Sequence, residues 1–278
     1  MCKIDSHQHF WCFDPVKDKW ITNSMFILQK DFLPADIAPI LHHYGIDGCM
    51  AVQSGQTEGE SLFLLNQAEQ YPFIKGIVGW VDLIADNIDE RLAYYSQFER
   101  MKGFRHILQG ESDRAFMLRP DFKRGIGKLK QFDFTYDILI NDDQLPYIHE
   151  FVAEFPEQPF VINHLAKPRI KDKQIREWQQ HMEAIAKYPN VHCKVSGMVT
   201  EADWLNRKRD DFWPYLDVVF EAFGSKRVMY GSDWPVCRLA ATYGEVFSIV
   251  RAYCAELSRE EQRLFWGGNA TEFYKLKL

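Results

Sequence analysis

At 278 residues, with 46% hydrophobic and 26% charged side chains, the chain carries enough apolar material for one large core and too much for intrinsic disorder. A formal net charge of -6 gives no basic footprint for nucleic acid or an anionic membrane surface, and no apolar run reaches membrane-spanning length. The first residues enter a strand-like run without a basic and apolar leader, and the six scattered cysteines form no C-x-x-C pair. They read as reduced thiols in a cytoplasmic protein.

Residues 1–10 read as a strand whose alternation places Asp5, His7 and His9 on one side and Ile4, Ser6 and Gln8 on the other. Two imidazoles two residues apart on one strand face can reach a single point, as the first pair of ligands to a divalent metal must. A long loop, 11–31, then carries Trp11, Phe13, Pro15 and Trp20; it reads either as a wall of a functional site or as aromatic packing on a rim. A helix over 34–44 ends at Gly45, and His42 and His43 in its last turn complement the helix dipole, a structural role.

Alternation of strand and helix continues to the end. Strands are predicted over 46–53, 73–82, 101–108, 135–141, 159–164, 191–196 and 227–233. Helices are predicted over 58–71, 86–98, 120–131, 142–155, 173–188 and 210–223, with 243–257, 260–265 and 269–274 following the last strand. Eight such units without a linker predict one α/β domain over 1–278, a (β/α)8 TIM-type barrel with a short C-terminal helical tail.

Active sites of such barrels lie at the C-terminal strand ends. The polar residues expected there are His7 and His9, Gln53, Asp82, Arg105 and His106, His164, Lys194 and Asp233. So many groups that are costly to bury unpaired point to a site rather than to a merely structural rim. Lys194 either contacts a substrate hydroxyl or pairs with a carboxylate such as Asp82. Trp11 and Trp234 flank the expected pocket, where their rings would meet the apolar face of a ligand, with rim packing as the competing reading. Cys12 and Cys237 lack the charged helix-start setting of a nucleophile and read as small buried thiols.

Five segments carry a family resemblance: His7-Gln8-His9-Phe10, Lys102-Gly103-Phe104-Arg105-His106, Asn163-His164-Leu165-Ala166-Lys167-Pro168, Tyr230-Gly231-Ser232-Asp233-Trp234-Pro235 and Gly268-Asn269-Ala270. Together, and in this order, they resemble the amidohydrolase superfamily, and within it the branch of sugar-lactone hydrolases acting on L-fucono- and L-rhamnonolactones. The resemblance implies a hydrolase that opens a sugar-acid lactone with an Asp-activated water. By the same resemblance His7, His9 and Asp233 would surround a divalent metal, and Asp233 would take a proton from the water. His164 would hydrogen-bond the substrate or its developing oxyanion. Arg105 and His106 would bind the carbonyl or hydroxyls of the lactone, with Gln53, Lys194 and Trp11 as further substrate-facing groups.

The sequence departs from the metal-rich members at two strands. Strand five, Tyr136-Asp137-Ile138-Leu139-Ile140-Asn141, ends without a histidine, and strand four ends in Arg105-His106 rather than a bridging lysine or glutamate. At most one ion is therefore expected, zinc by its ligand set, and the reaction could dispense with it. The runner-up reading is a metal-dependent decarboxylase of the same superfamily, against which the missing strand-five histidine argues. A barrel that only binds a sugar acid is the third. The expected partner is a small lactone, with a homodimer left open.

Overall fold

The computed structural model describes residues 2–278; Met1, which the predicted first strand includes, lies outside them. Eight strands pair in parallel, each with the next in the chain. They are β1 (Ile4–Gln8), β2 (Gly48–Val52), β3 (Ile74–Gly79), β4 (Met101–His106), β5 (Thr135–Ile138), β6 (Phe160–Ile162), β7 (Val191–Val195) and β8 (Val228–Tyr230). The barrel closes just beyond β8, where Asp233 N donates to His7 O at 2.8 Å and His9 N to Trp234 O at 2.7 Å. Closure is therefore made by the backbone of the residues that carry the expected chemistry.

The outer layer consists of α1 (Pro34–Tyr44), α2 (Glu58–Gln70), α3 (Ile88–Tyr95), α4 (Pro120–Leu129), α5 (Leu145–Ala153) and α6 (Arg176–Ile185). A short α7 (Met198–Glu201) follows β7 at the cavity end, and α8 (Trp213–Phe223) and α9 (Tyr243–Cys254) complete the layer. The tail adds α10 (Arg259–Arg263) and α11 (Asn269–Phe273). Local chemistry sets their ends. Thr57 accepts from Glu60 N at the start of α2, and Thr242 with Glu245 forms a reciprocal cap on α9. In α4 the buried residues Phe122, Gly125, Ile126 and Leu129 follow helical spacing, a stripe that packs on the sheet. Among the described residues no helix is long and apolar enough to cross a membrane.

Inside the barrel, Ile4, Met50, Val52, Val78, Val161 and Met229 form a core at the N-terminal end, and Ala270, Phe273, Tyr274 and Leu276 of the tail pack against it. The predicted tail is thus a plug. The interior becomes polar toward the other end, with Gln53, Arg105, Asp137, Asn163 and Lys194 buried.

One expectation about β1 needs correction. Its register runs Ile4 opposite Gly48, Asp5 opposite Cys49, then Gln8 opposite Ala51, so three steps on β1 match two on β2. This bulge leaves Ile4 in the interior core and turns Asp5 to the outer face. There its Oδ1 accepts from Ser232 N at 2.9 Å and from His7 N at 3.2 Å. Past the bulge His7 and His9 do share the inner face. Burial pushes the Asp5 carboxyl up to about 6, against the pull of those hydrogen bonds.

Candidate active site

A cavity of about 320 Å³ opens at the C-terminal ends of the strands, with His9, Arg105, His164 and Asp233 in its lining. One carboxylate oxygen organises this floor. Asp233 Oδ1 lies 3.3 Å from His9 Nε2, 3.8 Å from His164 Nε2 and 3.9 Å from His7 Nε2. His9 Nδ1 sits 2.7 Å from Val52 O, and a carbonyl only accepts, so the hydrogen-bond pattern assigns the ring proton to Nδ1. In a neutral His9 the Nε2 lone pair therefore faces the carboxylate. His164 Nδ1 lies 2.9 Å from Ser196 Oγ, which fixes the ring.

Burial dominates the titration of these groups. It drives the His164 imidazole down to about 3, and it lowers His7 well below its ordinary range, with Lys194 adding to the effect. His9 is lowered as well, again chiefly by burial. Burial works to raise Asp233, but His164, His9 and Lys167 outweigh it and hold the carboxyl below the usual range. Burial thus disfavours a proton on all three imidazoles, while the groups around Asp233 favour its charged form. His7, His164 and Asp233 each present one ligand atom, all within 4.8 Å of one another. The cluster thus holds His164 where the sequence reading placed His9, and two imidazole nitrogens with one carboxylate oxygen fit a zinc ion.

The backbone beneath these side chains is strained. Asp233 has φ 59°, and His164, Leu165, Ala166 and Lys167 form a run at φ 55°, 52°, 56° and 51°. A left-handed residue with a Cβ costs roughly 1–2 kcal/mol, so this turn is held against several kcal/mol by its surroundings. Gly197 makes the turn sterically feasible: it has φ 62°, and a Cβ there would sit 2.5 Å from His164 Nδ1.

Below the floor a polar network fills the barrel. Lys194 Nζ donates to Asp137 Oδ2 at 2.6 Å, Asn163 Nδ2 donates to the same oxygen at 2.9 Å, and Tyr274 OH donates to Asp137 Oδ1 at 2.8 Å. Arg105 Nη1 donates to Asn163 Oδ1 at 3.2 Å and approaches His7 Nε2 at 3.3 Å. Its Nη2 donates to the backbone oxygen and Oε1 of Gln53. The aspartate neutralises the lysine, and the network aims Arg105 at the cavity.

Of the sequence-expected residues, His7, His9, Arg105, His164 and Asp233 converge here. The others stand apart from this cluster, and of the cluster itself His7 is buried beneath the cavity lining. His106 follows Arg105 on a pleated strand and so points outward, stacked on Phe116 with Nε2 2.7 Å from Glu111 Oε1. Gln53 is fully buried and holds Arg105 through Nε2 to its carbonyl at 2.8 Å. Lys194 is buried against Asp137, whereas Asp82 is exposed in the loop after β3. Trp11 is buried with Nε1 donating to Lys30 O at 2.9 Å and packs edge-on against Trp20, which lines the cavity in its place. Trp234 packs on Phe10 and Phe32, a rim role. Cys237 is buried as expected, but Cys12 is exposed. Sequence reasoning missed Lys167, Thr200, Glu201 and Trp204, which also line the cavity. Lys167 stood inside a motif already singled out; α7, which brings Thr200 and Glu201, is too short for periodicity to reveal.

His7 on β1, His9 just beyond it, a histidine after β6 and an aspartate after β8 meet at the C-terminal end of a parallel barrel, and the chain belongs to the amidohydrolase family, whose model matches residues 4–276. It is 39% identical over 285 residues to the L-fucono-1,5-lactonase of Burkholderia multivorans, covering 99% of this chain and 96% of that one. The L-fucono-1,5-lactonase of Burkholderia ambifaria is 32% identical over 283 residues, covering 99% and 96%. A crystal structure of an amidohydrolase from Burkholderia multivorans with bound zinc superposes with a TM-score of 0.96 at 39% identity over 100% of both chains.

Proposed function

We propose that this protein hydrolyses a sugar-acid lactone of the L-fucono or L-rhamnono type. The observation that carries the reading is the carboxylate oxygen of Asp233, ringed by the imidazoles of His9, His164 and His7 at 3.3–3.9 Å at the floor of a small cavity. A lactone is an ester, so its opening needs a water made nucleophilic and positive groups aimed at the carbonyl oxygen. In this reading Asp233 takes the proton of the attacking water. The oxygen attacks the carbonyl carbon, and Arg105 stabilises the charge that develops on the carbonyl oxygen; His164 would share that task only through an Nε2–H that no metal has replaced. The ring C–O bond then breaks, and the departing ring oxygen takes the proton back from Asp233. A bound zinc, held by His7, His164 and Asp233 with His9 beside them, would supply Lewis acidity and a more acidic water. Met25, Ile107, Leu139, Val236 and Leu239 make much of the cavity wall apolar, which suits the methyl group of a deoxy sugar.

The test is a panel of sugar-acid lactones followed by proton release, with the metal content of the same sample determined. Rapid turnover of L-fucono- or L-rhamnonolactone is expected. Inertness toward every lactone, combined with carbon dioxide release from aromatic acids, would replace this reading with the decarboxylase; tight binding of lactones without turnover would replace it with a binding barrel.

A further inference from the structure

We infer that Lys167 and Glu201 together form a subsite that reads a pair of neighbouring hydroxyls on the substrate; the identity of the ligand as a sugar lactone rests on the function proposed above. Both side chains line the cavity that holds His164 and Asp233. Lys167 Nζ lies 3.4 Å from Glu201 Oε1, and the two side chains are 22% and 23% exposed, so the pair is sheltered yet reachable. Thr200 Oγ1 supports it from behind, donating to Gly197 O at 2.8 Å and standing 3.3 Å from Glu201 Oε1. Trp204 Nε1 donates to Thr200 O at 2.9 Å, which sets its ring at the same wall.

Two features separate this pair from an ordinary surface ion pair. The first is its capacity. An ammonium has three donors, and Lys167 meets Glu201 Oε1 as an ion pair at 3.4 Å without a hydrogen bond, while Glu201 Oε2 accepts none from the described residues. Donors and an acceptor therefore remain side by side, open to the cavity. The second is the backbone. Lys167 is the last of four consecutive left-handed residues beginning at His164, a conformation that an ordinary strand-to-helix connection has no reason to sustain. That turn brings Lys167 to the same cavity wall as His164.

The charge decides the ligand chemistry. A lysine alone would attract the carboxylate of the opened product or of an aromatic acid. Paired with Glu201 it is neutralised, and the glutamate repels a carboxylate. A hydroxyl both donates and accepts, so two adjacent hydroxyls satisfy the pair at once, one donating to Glu201 and the other accepting from Lys167. The subsite thus selects a polyhydroxylated ring over a bare lactone or a dicarboxylate.

Calorimetric titration of wild type, Lys167→Met and Glu201→Gln with two open-chain acids tests this. L-fuconate carries neighbouring hydroxyls; delta-hydroxyvalerate has the same carboxylate and a hydroxyl on C5 without them. Hydrogen bonds to charged groups of this kind predict a loss in Kd for L-fuconate of roughly ten- to hundredfold in each variant, with delta-hydroxyvalerate unchanged and Lys167→Arg recovering part of the loss. Equal weakening of both acids would show carboxylate binding and overturn the inference. So would unchanged L-fuconate binding in the variants, or a wild type that binds L-fuconate no better than delta-hydroxyvalerate. Glu201→Gln is isosteric, and its thermal unfolding checks that the fold is retained. Failure of the lactonase reading shows separately, as absence of lactone turnover by wild type.

Discussion

At the scale of single residues, the proposed reaction turns on the Asp233 carboxyl, which its neighbours hold below the usual range against the effect of burial. Asp233→Asn retains the shape but removes the base, so kcat on the best lactone is expected to fall by about 10²- to 10⁴-fold with one cooperative thermal transition retained. Turnover within a few-fold of wild type would remove Asp233 from the mechanism. Gly197 is a subtler dependence. Alanine there adds a Cβ 2.5 Å from His164 Nδ1 and a left-handed backbone cost, so the imidazole must move. Displacement of a catalytic group by about an ångström can cost on the order of 10²-fold in rate. Gly45 is the matched control: φ 63° with nothing within 4 Å of an added Cβ. Gly45→Ala is expected to lower stability by ~1 kcal/mol and leave kcat alone. Equal kinetic damage from both substitutions would refute the steric account.

At the scale of elements, strand alternation carried most of what could be read in advance. All eight strands, the tail and the polar ends of β1, β4 and the segments after β6 and β8 follow from periodicity and from the rule that barrels react at their C-terminal ends. Strict alternation also contains the warning that Arg105 and His106 cannot face the same cavity. What periodicity does not hold is the bulge in β1, because an extra residue is specified by the register of β2 and by Ser232, more than two hundred residues away. Nor does it distinguish Trp20 from Trp11, since the choice of which ring faces inward is made by packing on Phe32. Nor does it reveal that Asp137, on a strand notable in the sequence only for lacking a histidine, anchors Lys194 between β5 and β7. Lys194→Met should therefore leave a buried carboxylate without its cation and destabilise the protein by roughly 3–5 kcal/mol, read from its denaturant midpoint, while KM for the lactone holds. Adding Asp137→Asn should recover part of that loss. A raised KM with unchanged stability would instead make Lys194 a substrate contact.

At the scale of the whole molecule, the barrel has one end that reacts and one that is plugged, and the plugged end sets part of its acid sensitivity. His192 on β7 packs against Phe273 of the tail, ring centroids 4.7 Å apart, with Nδ1 buried and unpartnered. Burial, reinforced by the nearby Arg227 guanidinium, lowers its imidazole to about 4. The folded value lies below the unfolded one of about 6.5, so between them the unfolded chain binds the proton and the folded one does not. The sign follows: stability present above pH 6.5 is lost as the pH falls toward 4 and loses no more from this group below that. At about 1.4 kcal/mol per unit the full loss is on the order of 3 kcal/mol. His192→Gln removes the titration. The difference in Tm between variant and wild type should therefore shift in favour of the variant as the pH drops from 7.5 to 4.5. The buried histidines of the reactive end, common to both proteins, cancel from that difference. A gap that stays constant across this range would mean that His192 is protonated in the folded state as readily as in the unfolded chain, and that the plug is indifferent to its charge.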